Sequence, residues 1–104
     1  MPYYVYITTN VTHSVLYVGM TGDLLYRAKQ HREKLIPGFT HRYNVSHLVY
    51  YEEIASAYDA ITREKQLKAG PRRKKMELAD SFNPRWRDFY EDVVDEEEGT
   101  LRLP

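Results

Sequence analysis

Residues 16–31 read LYVGMTGDLLYRAKQH. Leu16-Tyr17-Val18 has the aromatic and β-branched character of a strand end, and Gly19 to Asp23 supply turn chemistry. Thr21 or Asp23 stands where a side-chain oxygen can accept the unpaired N–H groups of a helix's first turn, so a helix is expected from Leu24. Strand, turn and cap leave a polar trio unexplained. Tyr17 closes the strand, while Arg27 and His31 sit four apart and therefore share one helix face. A hydrogen-bonded surface histidine is the plainer reading of His31. A shared site is the sharper one.

Outward from this stretch, YYVYITT (3–9) reads as a strand, NVTHS (10–14) as a polar turn and VLYVG (15–19) as the returning strand of a hairpin. The helix from Leu24 is expected to reach Leu35 and stop at Pro37-Gly38. SHLVYYEEI (46–54) reads as a third strand, because Leu48 to Tyr51 is a continuous apolar run. Ser56 with Asp59 resembles a capping box and opens a helix over 57–69 that ends at Gly70. Pro71 suits the first position of another helix, 71–82. NPRWRDFY (83–90) is expected to be a turn and a short helix, with Trp86 and Phe89 as lids on the core. The pattern describes an α+β fold, a small three-stranded antiparallel sheet flanked by helices.

The chain has 104 residues, the size of one domain. It contains no cysteine, which excludes disulfides and thiolate chemistry. No apolar run approaches the ~20 residues of a membrane span, and the first residues lack the features of a secretory signal, so a cytoplasmic protein is expected. Histidines 13, 31, 41 and 47 form no zinc pattern. Ten tyrosines stand against three phenylalanines and one tryptophan, a composition suited to half-buried strands.

The formal net charge of zero conceals an asymmetry. Residues 1–90, the expected domain, carry 14 Lys and Arg against 9 Asp and Glu. Residues 91–104 carry 6 acidic groups against Arg102 and form an acidic, unpatterned tail. A basic folded part suits an anionic partner such as nucleic acid.

Two local conflicts between charge and pattern sharpen this. Ala57, Ala60, Ile61 and Leu67 define a buried stripe at helical spacing, and Glu64 lies on it. A carboxylate there is costly unless paired or bound to metal. It is either half of an ion pair, with an arginine such as Arg27, or a metal ligand or catalytic acid. Arg72, Arg73, Lys74 and Lys75 crowd a helix's first turn, where the macrodipole favours acidic groups. A bound phosphate would offset that cost, and a solvated charge run is the alternative.

Tyr4-Val5-Tyr6 and Tyr17-Val18-Gly19, followed by DLLYRAKQH, resemble the motifs of the GIY-YIG nuclease family. GFTHRYN, HLVYYEE, AITREKQLK and NPRWRDFYEDV are similar to segments of its small stand-alone bacterial branch, and the resemblance spans about residues 2–94. It implies an active centre of Tyr6, Tyr17, Arg27, His31 and Glu64, so the same Glu64 that breaks the apolar stripe becomes the expected metal ligand. It implies Mg2+ or Mn2+ as cofactor and DNA as the partner, with Asn83 matching a family asparagine.

His41 and the 72–75 cluster complete the expected substrate contacts. Two positions depart from the pattern. Tyr4 replaces the glycine of the first motif, and Tyr26 stands where many relatives carry Arg or Lys. The expected activity is metal-dependent hydrolysis of phosphodiester bonds in DNA, directed by structure more than by sequence, in repair or recombination. A non-catalytic nucleic-acid-binding module and a protein-interaction domain are the rival readings. The sequence leaves the oligomeric state open, with a monomer as the default.

Overall fold

The computed structural model describes residues 2–33, 38 and 42–90. His41 and the acidic segment 91–104 lie outside the described residues. Among the described residues the elements run in the order β1 (Tyr3–Thr9), β2 (Leu16–Thr21), α1 (Leu24–Arg32), β3 (His47–Ile54), α2 (Ala57–Ala69) and α3 (Arg72–Phe82). The sheet order is β2-β1-β3 and both pairings are antiparallel, so the fold is α+β as expected.

β1 is the central strand, and its residues 4–9 are all buried. Alternation sends Tyr4 and Tyr6 to one face, with Leu24, Ala28, Leu48, Tyr51 and Phe89. Val5 and Ile7 go to the other face, with Val18, Val49, Tyr50, Ala60, Leu67 and Ala79. α1 thus covers the tyrosine face and α2 and α3 cover the aliphatic face. The continuous apolar run of β3 follows from this two-sided burial. A bulge opposite Ile7 and Thr8 shifts the register, pairing Ile7 with Tyr50 and Thr8 with Leu48.

The caps fall where the polar residues predict. Asp23 Oδ1 accepts the Tyr26 N–H at 3.0 Å, and Ser56 Oγ accepts the Asp59 N–H at 3.1 Å. In the hairpin loop, Asn10 Oδ1 accepts the N–H groups of Ser14 and Val15 at 2.9 and 3.1 Å.

Four boundaries differ from the sequence reading. β2 runs on through Met20 and Thr21, because these pair with Val5 and Tyr4 across the ladder. α1 ends at Arg32, with Glu33 as its C-cap. Pro71 is the N-cap of α3, with extended backbone (φ −69, ψ 154), not its first helical residue. Residues 83–89 are turns and irregular chain, with Trp86 at φ 53, and helix begins only at Tyr90. There the Phe89 N–H donates to the Leu48 carbonyl at 2.7 Å, and Phe89 is 2% exposed. Phe89 is the lid expected of it, and half-buried Trp86 packs on the aliphatic cluster. No described helix is long and apolar enough to cross a membrane.

Candidate active site

The site grows from one cross-strand pair. Tyr6 lies opposite Gly19, and the tyrosine ring crosses the space a side chain at 19 would need. A Cβ there would fall 2.5 Å from Tyr6 Cζ and closer still to the hydroxyl oxygen. Glycine at 19 is therefore what lets the ring of Tyr6 lie flat against β2. Tyr17, two residues earlier on β2 and opposite Thr8, shares that face.

α1 crosses this face and delivers His31, which is 3% exposed. The Tyr6 hydroxyl and His31 Nε2 are 2.8 Å apart in a buried hydrogen bond. Ring centroids of Tyr6, Tyr17 and His31 form a triangle with sides of 6.4, 5.5 and 5.7 Å. Burial, and then the Arg27 charge one turn away, hold the His31 imidazole down at about 4. Burial also raises the Tyr6 phenol well above its ordinary value. Tyr17 and Glu64 add to that rise, and Arg27 opposes it. At neutral pH both partners are therefore uncharged. With Nδ1 protonated, His31 Nε2 accepts the Tyr6 O–H; in the other tautomer Nε2–H donates to the phenol oxygen.

The helix face around His31 is short of partners. Arg27 Nε, Gln30 Oε1 and His31 Nδ1 are buried with no hydrogen-bond partner. Three such atoms within five residues mark a place built for something besides packing.

Glu64 approaches from α2. Ala60 and Leu67 are the buried residues of this helix, so Glu64 does lie on the buried line, at i+4 from Ala60. Ile61 was expected on that stripe, yet it is 42% exposed, being one helical step off the line. The alternative of an ion pair between Glu64 and an arginine such as Arg27 is not what forms. The ion-pair partner of Glu64 is Lys68, one turn on, at 3.4 Å, and the carboxylate is 22% exposed. Lys68 Nζ in turn stands 5.7 Å from the Tyr17 ring centroid. Lys68 escaped the sequence reading, although its i,i+4 spacing from Glu64 was a usable signal. Gln30 offered none.

The four cations at the start of α3 do not converge on one anion. Arg72 donates to the His13 carbonyl at 2.9 Å, and Arg73 faces solvent beside Glu77. Lys74 lines a groove with Arg63, Gln66 and Pro71, while Lys75 lines one with Tyr17 and Lys68. Their side chains leave in different directions, so the single phosphate site read from the charge run is not formed.

Asn83 is likewise no substrate contact. It is 3% exposed, its Nδ2 donates to the carbonyls of Val49 and Arg87 (3.2 and 2.7 Å), and its Oδ1 accepts the Arg87 N–H. Both amide hydrogens and the amide oxygen are engaged by backbone. Tyr4 packs edge-on against Tyr51 and donates to Glu53 at 3.3 Å, so the motif's missing glycine has become core. Tyr26 is 59% exposed.

Glu64 fits a hard divalent cation such as magnesium. That ion is commonly held by one or two carboxylates together with water and substrate phosphate. Among the described residues, no three His, Cys, Asp or Glu are grouped to enclose an ion by themselves.

The family model described as the GIY-YIG catalytic domain matches residues 2–77, which contain every member of the proposed centre. The solution NMR structure of a UPF0213 protein from Bacillus halodurans is 26% identical, covering 96% of this chain and 100% of that one, with a TM-score of 0.49. A comparison with curated protein sequences gave no match. With the family model spanning most of the chain, this chain belongs to the GIY-YIG catalytic-domain family.

Proposed function

We propose that the protein is a metal-dependent endonuclease that hydrolyses phosphodiester bonds in DNA, with structure- more than sequence-directed selection, in repair or recombination. Membership of the family carries nuclease-type chemistry in general. The observation that carries the finer reading is the buried Tyr6–His31 hydrogen bond, flanked by the unpartnered Arg27 Nε.

A phenol with a raised pKa is a poor standing base, because its phenolate is scarce at neutral pH. Bonded to a neutral imidazole protonated on Nδ1, it acts differently. Its oxygen takes a proton from the attacking water as its own proton passes to His31 Nε2. Neither group then needs to carry charge before the reaction. Tyr17, half-buried at the rim, orients the water or the phosphate. Arg27 offers its planar fork to the non-bridging oxygens, where charge develops. Glu64 would hold the divalent ion, which supplies charge neutralisation at the phosphate and the leaving oxygen when bound.

The test is nicking of supercoiled plasmid with magnesium, alongside a chelator control. The reading expects nicked circles only with the metal, and their loss in Tyr6→Phe. Binding without nicking at any metal concentration would favour the non-catalytic module.

A further inference from the structure

Beside the candidate centre, the outer edge of β2 carries a groove of about 310 Å³ lined by Leu16, Tyr17, Val18, Lys68 and Lys75. We propose that this groove seats the sugar–phosphate backbone adjoining the scissile phosphate, with Lys68 and Lys75 as its phosphate ligands; this rests on the nuclease reading above.

Tyr17 belongs to both places. Its ring lines the groove and lies 5.7 Å from that of His31, so a strand held in the groove runs directly into the centre. The two lysines come from different helices and meet at the same strand edge. Leucine, valine and a tyrosine ring suit the apolar face of a sugar or a base, and the ammonium groups suit the phosphate that joins two of them. Among the described residues, no acidic side chain lines the groove. Charge complementarity therefore selects a polyanionic strand over a basic peptide.

Lys68 has a further reason to seek a phosphate. Its present counter-ion is Glu64, at 3.4 Å, while its own side chain is 49% exposed. When the Glu64 carboxylate serves a divalent ion, Lys68 loses that partner and remains beside Tyr17. A strand phosphate replaces it. Lys75 donates one hydrogen to the Gly70 carbonyl at 3.1 Å and keeps two for a ligand.

The experiment has a binding arm and a kinetic arm. In Glu64→Gln protein, which frees Lys68 and removes cleavage, oligonucleotide affinity is measured against salt for added Lys68→Gln, Lys75→Gln and both. Lys65→Gln, an exposed lysine of α2 outside the groove, serves as the charge control. Each groove substitution is expected to flatten the slope of log affinity against log salt by about 0.7–0.9, and the pair by about twice that. Arginine at either position should restore it. In protein retaining Glu64, the double variant should raise KM and leave kcat within roughly two-fold, as expected when a contact binds ground and transition states alike.

Slopes no flatter than the Lys65 control, or a loss confined to kcat, would overturn the groove while leaving a cutting parent enzyme a nuclease. A parent that cuts nothing, with the slopes flattened as expected, would overturn the nuclease reading and leave the groove as a nucleic-acid site.

Discussion

The two faces of the sheet obey different rules. On the α2 and α3 face, Val5, Ile7, Val18 and Val49 pack against Ala60, Leu67 and Ala79, and the polar groups nearby are paired. Arg63 makes a two-pronged bridge to Glu52 at 2.7 and 3.2 Å, and Glu52 also accepts the Tyr50 hydroxyl. On the α1 face, Tyr4, Tyr6, Tyr17 and Tyr51 gather with Phe89 and His31, and polar atoms are buried without partners. Among the described residues, those atoms are Thr8 Oγ1, Arg27 Nε, Gln30 Oε1, His31 Nδ1 and Arg32 Nε, and every one lies on α1 or on the strand face beneath it. Buried polar groups are normally satisfied, and the exceptions here share one face with the proposed centre.

That contrast breaks most visibly under substitution, ranked here by expected effect on melting. Ile7→Ala on the aliphatic face should cost roughly 2–5 kcal/mol, as for any fully buried aliphatic side chain. Its nicking rate per folded molecule should be unchanged. A rate loss in protein shown to be folded would mean that the two faces are not separable.

A smaller effect comes from pH. His31 is held near 4 in the folded protein against 6.5 for the free side chain. The unfolded chain therefore takes up the proton first as pH falls. This contribution to stability is complete above about pH 6.5 and disappears as pH drops through 4. It is worth at most about 3 kcal/mol. His31→Gln, whose amide does not titrate, should flatten the decline of Tm between pH 6.5 and 4. Some slope will persist from His47, which burial and the Arg32 charge also hold low. An unaltered slope in His31→Gln would show that the imidazole is not buried in its neutral form.

Smaller again is Gly19→Ala, expected to cost about 1–3 kcal/mol as an overpacked site. Here stability and nicking should fall together, because the added methyl displaces the Tyr6 ring and its bond to His31. A variant that loses stability yet nicks at the parent rate would detach Tyr6 from the chemistry.

Local signals carried most of the fold into the sequence. The bounds of β1 and α2 follow directly from β-branched and aromatic character and from the Ser56 cap with Gly70 at the close. The last two residues of β2 were not readable, since nothing local distinguishes Met20-Thr21 from turn until Val5 and Tyr4 pair with them. Arg27 and His31 were legible as a helix pair. Their relation to Tyr6 was reached through the family motifs, because a contact across 25 residues leaves no periodic trace.

The charge run at 72–75 misled for the opposite reason. Adjacent helical positions point about a quarter-turn or more apart, so proximity in sequence scattered these groups in space. Asn83 shows the same limit. A buried amide clamping backbone and an amide reaching for substrate have the same one-letter code.

Glu64→Gln tests the central claim most directly, because its two consequences are furthest apart. The carboxylate's ion pair with Lys68 is partly exposed and worth only a few tenths of a kcal/mol, so Tm should hardly move. Plasmid nicking with magnesium should nevertheless fall by orders of magnitude, since a bound ion's charge stabilisation amounts to several kcal/mol. A folded Glu64→Gln protein that nicks plasmid at the parent rate would contradict the account.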